Sequence, residues 1–387
     1  MEYNVFQNNK ILDIVRDKKW AKLYNILDLF CDDTKSASKI KKEEYLGNGK
    51  YPIVDQGQLY IAGYSNNDEE LYQEVPTILF GDHTRVLKYI DFPLFIGADG
   101  VKLLKLKNND KSINVKFVYY FLKTVELPSD GYSRHFKYLK QVVVPIPNRN
   151  IQDNIVSTLD KALELIDKRK EQIQALDELV KSRFIEMFGD VFLNTKNFKM
   201  KQIKEIVTVV KGITYKPEQV NEEGTIVLRS SNVKGSTFDL KDIVRVNKKI
   251  DEKFLVKVND ILMCNRNGSE RLVGKVAKIP EYNEPMTFGT FMTIVRSPYY
   301  NYLFSFFQTE AFRRQIKMQT SVAINQISIP LLESVKVPLP PIELQNEFAE
   351  FVKQVDKLKF EMENSLKELE GNFNSLMQRA FKGNLFN

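Results

Sequence analysis

Cysteine and histidine are almost missing from this 387-residue chain, which has two of each. Cys31 and Cys264 lie far apart, as do His83 and His135. Two isolated thiols build no disulfide framework and fit a reducing cytoplasm. With so few thiolate or imidazole ligands, a structural zinc site is not expected. No apolar run approaches the ~18 residues that a membrane-spanning helix requires. The opening MEYNVFQNNK lacks the charged-then-apolar pattern of a secretory leader.

Signatures of self-contained chemistry are missing as well. A phosphate-cradling loop needs four residues between its glycines and a Lys-Ser/Thr pair after them. Gly268 and Gly274 are separated by five, and Lys275 is followed by Val276. No G-x-G-x-x-G fingerprint follows a strand-like run, and no G-x-S-x-G elbow occurs. Asp99-Gly100 lacks the oxygen-ligand pattern of a calcium loop. Neither an Asn-Pro-Pro-Tyr motif for base methylation nor a carboxylate cluster for a Mg²⁺-dependent nuclease is present. Asn265 and Arg266 could lower the pKa of Cys264, but a lone cysteine at a strand end is more economically a packing residue. Asp82, His83 and Arg85 could do acid–base work, but a polar loop in a basic domain contacts a ligand or caps a turn more often than it catalyses. The expectation is a non-catalytic chain that holds no metal or cofactor of its own.

What is present is enough apolar sequence, 43%, to bury more than one core, and a net charge of +7 that is unevenly spread. Residues 151–190 hold six Lys/Arg against nine Asp/Glu, and residues 344–387 hold six against seven, so the remainder of the chain carries +11. A basic surplus on the globular parts with near-neutral spacers is the layout of a polyanion binder. Charge alone is equally compatible with a generic basic protein.

An internal repeat decides the architecture. Val144-Pro145-Ile146-Pro147 recurs 193 residues later as Val337-Pro338-Leu339-Pro340. At the same offset Ile151-Gln152 matches Leu344-Gln345, Ser182 matches Ser375 and Phe188 matches Phe381. Apolar residues then alternate at spacings of four and three. The first series is Ile155, Leu159, Ala162, Ile166, Ile173, Leu176 and Val180, with Arg169 in phase; the second is Phe348, Val352, Val355, Met362, Leu366, Leu369 and Phe373, with Lys359 in phase. That alternation is a helix-pairing seam, and polar exceptions limit slippage of its register. The prolines end each preceding domain. Asn150 is a candidate N-cap with Asp153 in the first turn. The globular parts echo each other more weakly: Ile78-Leu79-Phe80 with Ile261-Leu262-Met263, Phe95-Ile96-Gly97 with Thr287-Phe288-Gly289, and the aromatic helices Phe117–Leu122 with Tyr302–Phe307. The expected fold is α+β: two globular domains, 1–150 and 191–343, each followed by a long helix, 151–190 and 344–387. The helices pack as an antiparallel coiled coil about a pseudo-two-fold axis.

Polar loops that leave apolar strands are where base readers sit. In the first domain these are Asp82, His83, Thr84, Arg85 and Lys88, then Tyr132, Ser133, Arg134, His135, Lys137 and Tyr138. In the second they are Arg229, Ser230, Ser231 and Asn232, then Asn265, Arg266, Asn267, Ser269 and Arg271, with Asn325, Gln326, Arg313, Arg314 and Lys317. Arginine pairs with guanine and Asn or Gln with adenine in the major groove, while lysines fix position on phosphates. A solvated loop surface is the bland alternative for any one of them.

Several segments resemble those of the specificity (S) subunits of type I restriction–modification systems. They are Ile78-Leu79-Phe80-Gly81-Asp82-His83-Thr84-Arg85 and Gly97-Ala98-Asp99-Gly100, Ser182-Arg183-Phe184-Ile185-Glu186-Met187-Phe188-Gly189-Asp190, Val337-Pro338-Leu339-Pro340-Pro341 with Gln345, and Gln378-Arg379-Ala380-Phe381-Lys382-Gly383. The likeness runs over nearly the whole chain; Trp20 and Leu23 fit the usual start of the first domain only loosely. It implies two target recognition domains that each read half of a bipartite site in double-stranded DNA, with the helices as a spacer. It also implies two methyltransferase (M) subunits that use S-adenosylmethionine, and motor–nuclease (R) subunits that use ATP and Mg²⁺. A specificity subunit of a differently organised restriction or methylation system, and a coiled-coil scaffold that binds no DNA, remain the alternative readings.

Overall fold

The computed structural model describes residues 20–67, 70–97, 100–129, 131, 133–318 and 326–385. Each globular domain is closed by a two-stranded neck built on the repeated prolines. Val143–Ile146 runs antiparallel to Lys22–Asn25, with Pro145 opposite Leu23; Lys336–Leu339 runs antiparallel to Lys199–Gln202, with Pro338 opposite Met200. A two-stranded ribbon tolerates proline because its outer N–H has no ladder partner to lose.

Helices follow at once. Asn148 accepts a hydrogen bond from the Ile151 N–H at 3.0 Å, and the first long helix spans Arg149–Phe188. The cap is therefore Asn148 and not Asn150, since Pro147 keeps the chain extended only to that point. Arg149 and Asp153 form an ion pair one turn apart. The second long helix, Ile342–Phe381, starts directly after Pro341, whose missing N–H costs nothing at a helix start. At 40 residues each is about 60 Å long. The matched glutamines do matched work: Gln152 and Gln345 are buried and donate to the carbonyls of Pro147 and Pro340 at 2.9 and 2.8 Å.

Inside the necks the two domains share the order of one antiparallel sheet and a parallel strand pair. The first has an antiparallel sheet in the order Phe30–Asp32, Val101–Leu106, Thr77–Gly81, Leu87–Ile90; the second has Thr208–Lys211, Met292–Arg296, Ile261–Cys264, Val276–Lys278 in the same order. A second sheet in each contains a parallel pair, Tyr51–Val54 with Phe95–Gly97 and Thr225–Leu228 with Met286–Phe288. The weak sequence echoes thus fall on equivalent strands. The aromatic segments are helices at Val115–Leu122 and Tyr300–Phe306.

The chain forms two compact units whose boundaries cut both long helices. One contains residues up to Lys170 and from Asn364 onward; the other is Glu171–Glu363. In the first unit the start of the first helix, with Ile155, Leu159 and Ile166 buried, packs with the end of the second, with Phe373, Met377 and Phe381 buried. In the second unit Val180, Phe184 and Phe188 pack with Phe348 and Val352. Ion pairs Asp177–Lys359 at 2.6 Å and Arg183–Glu347 at 2.8 Å show that the helices run antiparallel. All fourteen apolar seam residues named above are buried or half-buried. The polar exception Lys359 is spent on Asp177 across the seam.

Candidate nucleic-acid interface

In the first domain, strand Thr77–Gly81 delivers the chain to Asp82. Its N–H donates to the Gly100 carbonyl at 2.6 Å, its carboxylate accepts the Phe136 N–H at 2.7 Å, and its carbonyl accepts the His135 N–H at 2.8 Å. Asp82 and His135 are 4% and 1% exposed. Lys88 is equally buried and donates to the carbonyls of Asp55 and Leu59 at 2.8 and 2.5 Å; burial pushes its pKa below the usual lysine value. These three candidates are framework residues, withdrawn from the accessible surface. The reason is that a tight loop must first satisfy its own buried backbone groups.

Thr84, Arg85, Arg134 and Lys137 remain exposed, and His83 is half-buried. Thr84 donates to the Gln56 carbonyl at 2.7 Å, and Arg85, held at φ +61°, donates to the Leu127 carbonyl at 3.1 Å. Both line a cleft of about 440 Å³ with Leu87, Val125, Glu126 and Leu127. Tyr132 lies outside the described residues.

The second domain repeats the loop. Asn265 and Arg266 both donate their N–H to the Phe291 carbonyl, at 3.0 and 3.3 Å, and the Asn265 carbonyl accepts the Ile327 N–H at 2.7 Å. Gln326 pairs with Arg266 through an isolated bridge. Asn267 accepts the Ser269 N–H at 3.0 Å. On the facing turn Asn232, 1% exposed, accepts the Arg229 N–H and donates to the carbonyls of Asp239 and Asp242, so it too is framework. Asn265 is also buried, and Arg229 is held by Asp242 at 2.7 Å. Lys275 ties the two loops together by donating to the carbonyls of Ser230 and Val233 at 2.6 and 2.7 Å, and burial lowers its pKa. Burial also pushes the Cys264 thiol up, against the activation its polar neighbours suggested. Ser231 is half-buried. Asn325 lies outside the described residues.

Ser230, Arg266, Asn267, Gly268 and Phe291 surround a cleft of about 480 Å³. A second cleft of about 430 Å³ is lined by Ser269, Arg271, Arg313 and Lys317 among others, with Glu270 and Glu310 tempering its charge. Arg314 lies over the Phe192 ring at 5.8 Å. Sequence reasoning missed Phe291, an aromatic side chain 55% exposed beside Arg266, and Gln56, whose carbonyl and amide oxygen anchor the first loop. An aromatic directly before a strand, two residues after Gly289, was the available signal for the former. Among the described residues no group of three or more His, Cys, Asp or Glu could hold a metal ion, and no helix is long and apolar enough to cross a membrane.

Comparison with known proteins gives this geometry a context. The family model described as type I restriction modification DNA specificity domain matches residues 18–177 and again 195–370. The chain is 24% identical to the type I restriction enzyme EcoR124I/EcoR124II specificity subunit of Escherichia coli, over 82% of each chain. It is 23% identical to the MjaVIII specificity subunit of Methanocaldococcus jannaschii, over 68% of this chain and 69% of that one. The crystal structure of the type I restriction-modification S subunit from M. genitalium has the same fold, with a TM-score of 0.52 at 19% identity over 93% of this chain and 96% of that one.

Proposed function

This chain belongs to the type I restriction modification DNA specificity family, and from that premise we propose that its two domains each read one half of a bipartite DNA site across a gap of fixed length. It is a DNA sequence specificity subunit of a type I restriction–modification system. The observation that carries the bipartite reading is the duplication itself: two domains whose antiparallel sheets have one strand order present equivalent loops, on domains that hold the chain's basic surplus. Readout falls to the exposed loop residues, Thr84, Arg85, Arg134 and Lys137 in the first domain and Arg266, Ser269, Arg271 and Gln326 in the second.

The chemistry resides on cytoplasmic partners: methyltransferase subunits with S-adenosylmethionine, and motor–nuclease subunits with ATP and Mg²⁺. This chain supplies no cofactor and no catalytic residue. Methylation-aware sequencing of DNA modified by the assembled methyltransferase should return one motif with two defined halves and an undefined gap. A contiguous motif, or methylation by this chain alone, would overturn the proposal. Binding should also weaken steeply with salt, because phosphate contacts release counterions.

Two methyltransferase subunits fit the repeat. Leu165 and Leu358 occupy equivalent positions on the two long helices, 193 residues apart, and are 55% and 42% exposed. An exposed leucine at the same place on both copies is where a substitution tests for two like docking surfaces. Leu165→Asp or Leu358→Asp should each leave one methyltransferase bound, and the double variant none, as read by native mass spectrometry. Loss of both copies from a single substitution would refute independent docking.

A further inference from the structure

The hydrogen bonds of the two loops superpose them residue by residue. Asp82 donates to the Gly100 carbonyl and accepts from His135 N–H; Asn265 donates to the Phe291 carbonyl and accepts from Ile327 N–H. Asp82 therefore corresponds to Asn265, Gly100 to Phe291, and His83 to Arg266. The equivalent places carry different chemistry. In the first domain Gly100 sits at φ +87°, a conformation that strains any larger residue, and a Cβ there would lie 2.8 Å from the His83 ring and 2.5 Å from the Gln56 amide. In the second, the same place holds an exposed phenyl ring with the Arg266 guanidinium over it at 5.3 Å.

Among the described arginines of these loops, Arg266 is set apart by an exposed aromatic ring beneath its guanidinium. Arg85 commits one guanidinium nitrogen to backbone carbonyls, Arg229 pairs with Asp242, and Arg134 and Arg271 are exposed with no described ring beneath them. The Arg266 guanidinium is exposed and makes no hydrogen bond or ion pair among the described residues, and its central carbon lies over the Phe291 ring at 5.3 Å from the centroid. A guanidinium held over a ring by cation–π attraction keeps its five N–H donors and loses less freedom when a planar partner arrives than one free in solvent. Around it, Asn265 is 92% buried with an amide oxygen that has no partner, and Ser231 has an unpartnered hydroxyl on the facing turn. The cleft is open at Gly268, where a Cβ would meet nothing within 4 Å.

We propose that Arg266, held by Phe291, is the guanine-reading residue of the second domain. The proposal rests on the bipartite DNA reading given above. Guanine is the base whose major-groove edge offers two adjacent acceptors, N7 and O6, and a preset guanidinium fork satisfies both. The first domain, with His83 and Gly100 at the same place, lacks this contact, so the two half-sites differ at the corresponding position.

The test uses the full chain assembled with its methyltransferase subunits, in wild-type, Arg266→Gln, Arg266→Ala and Phe291→Ala forms, with methylation-aware sequencing and competition binding as readouts. Both Arg266 variants should make one guanine of the half-site read by the second domain degenerate, with discrimination there falling about tenfold or more. Phe291→Ala should relax the same position by less, and the other half-site should not change. The inference is overturned if the motif stays intact, if the relaxed position is not a guanine, or if affinity falls equally on all sequences with a shallower salt slope, the mark of a phosphate contact. Unaltered thermal unfolding of Arg266→Gln separates each result from misfolding. If the wild-type assembly yields no bipartite motif, the functional reading fails and not this assignment alone.

Discussion

Phe381→Ala should destabilise the first unit by about 3–5 kcal/mol, although this residue lies at the far end of the chain from the domain it anchors. Its side chain is fully buried, with the rings of Phe117 and Phe121 at 5.3 and 5.4 Å. Both belong to the helix Val115–Leu122, which packs in the core of the first domain. Two residues on, Gly383, at φ +66°, lies against Trp20, so closely that a Cβ would come within 2.7 Å of the indole. Truncation would leave a cavity between rings that cannot collapse onto one another. A compact unit is stable by only about 5–15 kcal/mol, so the loss takes a large share. Urea unfolding followed by a probe in each unit should show the first unit's transition moving to lower urea while the second's stays in place. Phe188→Ala should do the converse, because its ring meets Phe184 and Tyr302 at 4.9 Å and Phe348 at 5.3 Å within the second unit. A shift below about 1 kcal/mol, well under the range for a buried aromatic, would mean that the helix ends merely rest on the domains. Loss of the chain's last residues should therefore disable the domain nearest its start.

The sequence carried the duplication plainly, because proline spacing and heptad phase are local patterns. Val144-Pro145 and Val337-Pro338 could be matched without any structure, and the seam from Ile155 to Phe373 could be listed in phase. Those patterns say that the helices pair. They do not say which half of each helix completes which domain, since that depends on contacts such as Phe117 with Phe381 between residues far apart in the chain. The site was less legible for a related reason. Asp82, Lys88, His135 and Asn232 are polar residues at strand exits, the pattern of a ligand-binding loop. Yet Asp82 is bonded to Phe136, 54 residues on, and Lys88 to Asp55, 33 residues back. Polarity identifies residues that need partners, and only tertiary distance tells whether the partner is the protein's own backbone or DNA. Arg266 and Arg85 look alike in sequence for the same reason: one guanidinium rests on a ring and the other is bound to carbonyls.

Exchanging residues 203–335 for the matching segment of another family member should replace one half-site completely and leave the other half-site and the gap unchanged. The neck makes this expectation specific. Lys199–Gln202 and Lys336–Leu339 are paired from Lys199 opposite Leu339 to Gln202 opposite Lys336, so the chain passes into the domain and out of it at one place. Whatever loops lie beyond that ribbon, the two long helices receive the same connection. One contact must survive the exchange. The Tyr302 hydroxyl donates to the Pro338 carbonyl at 2.5 Å, and its ring stacks on Phe184 at 5.6 Å. An incoming segment that keeps tyrosine there should fold onto the helices; one that brings alanine should destabilise the second unit by about 3–5 kcal/mol for the missing ring and move its transition to lower urea. Recognition of the original second half-site should then fall to the non-specific level, about 10³-fold or more below the wild type. Methylation-aware sequencing reads all three quantities at once: the new half-site, the old one and the number of base pairs between them. A change in the first half-site or in the gap would mean that the second domain's loops influence more than their own half, and that the neck does not insulate the helices from the domain it closes.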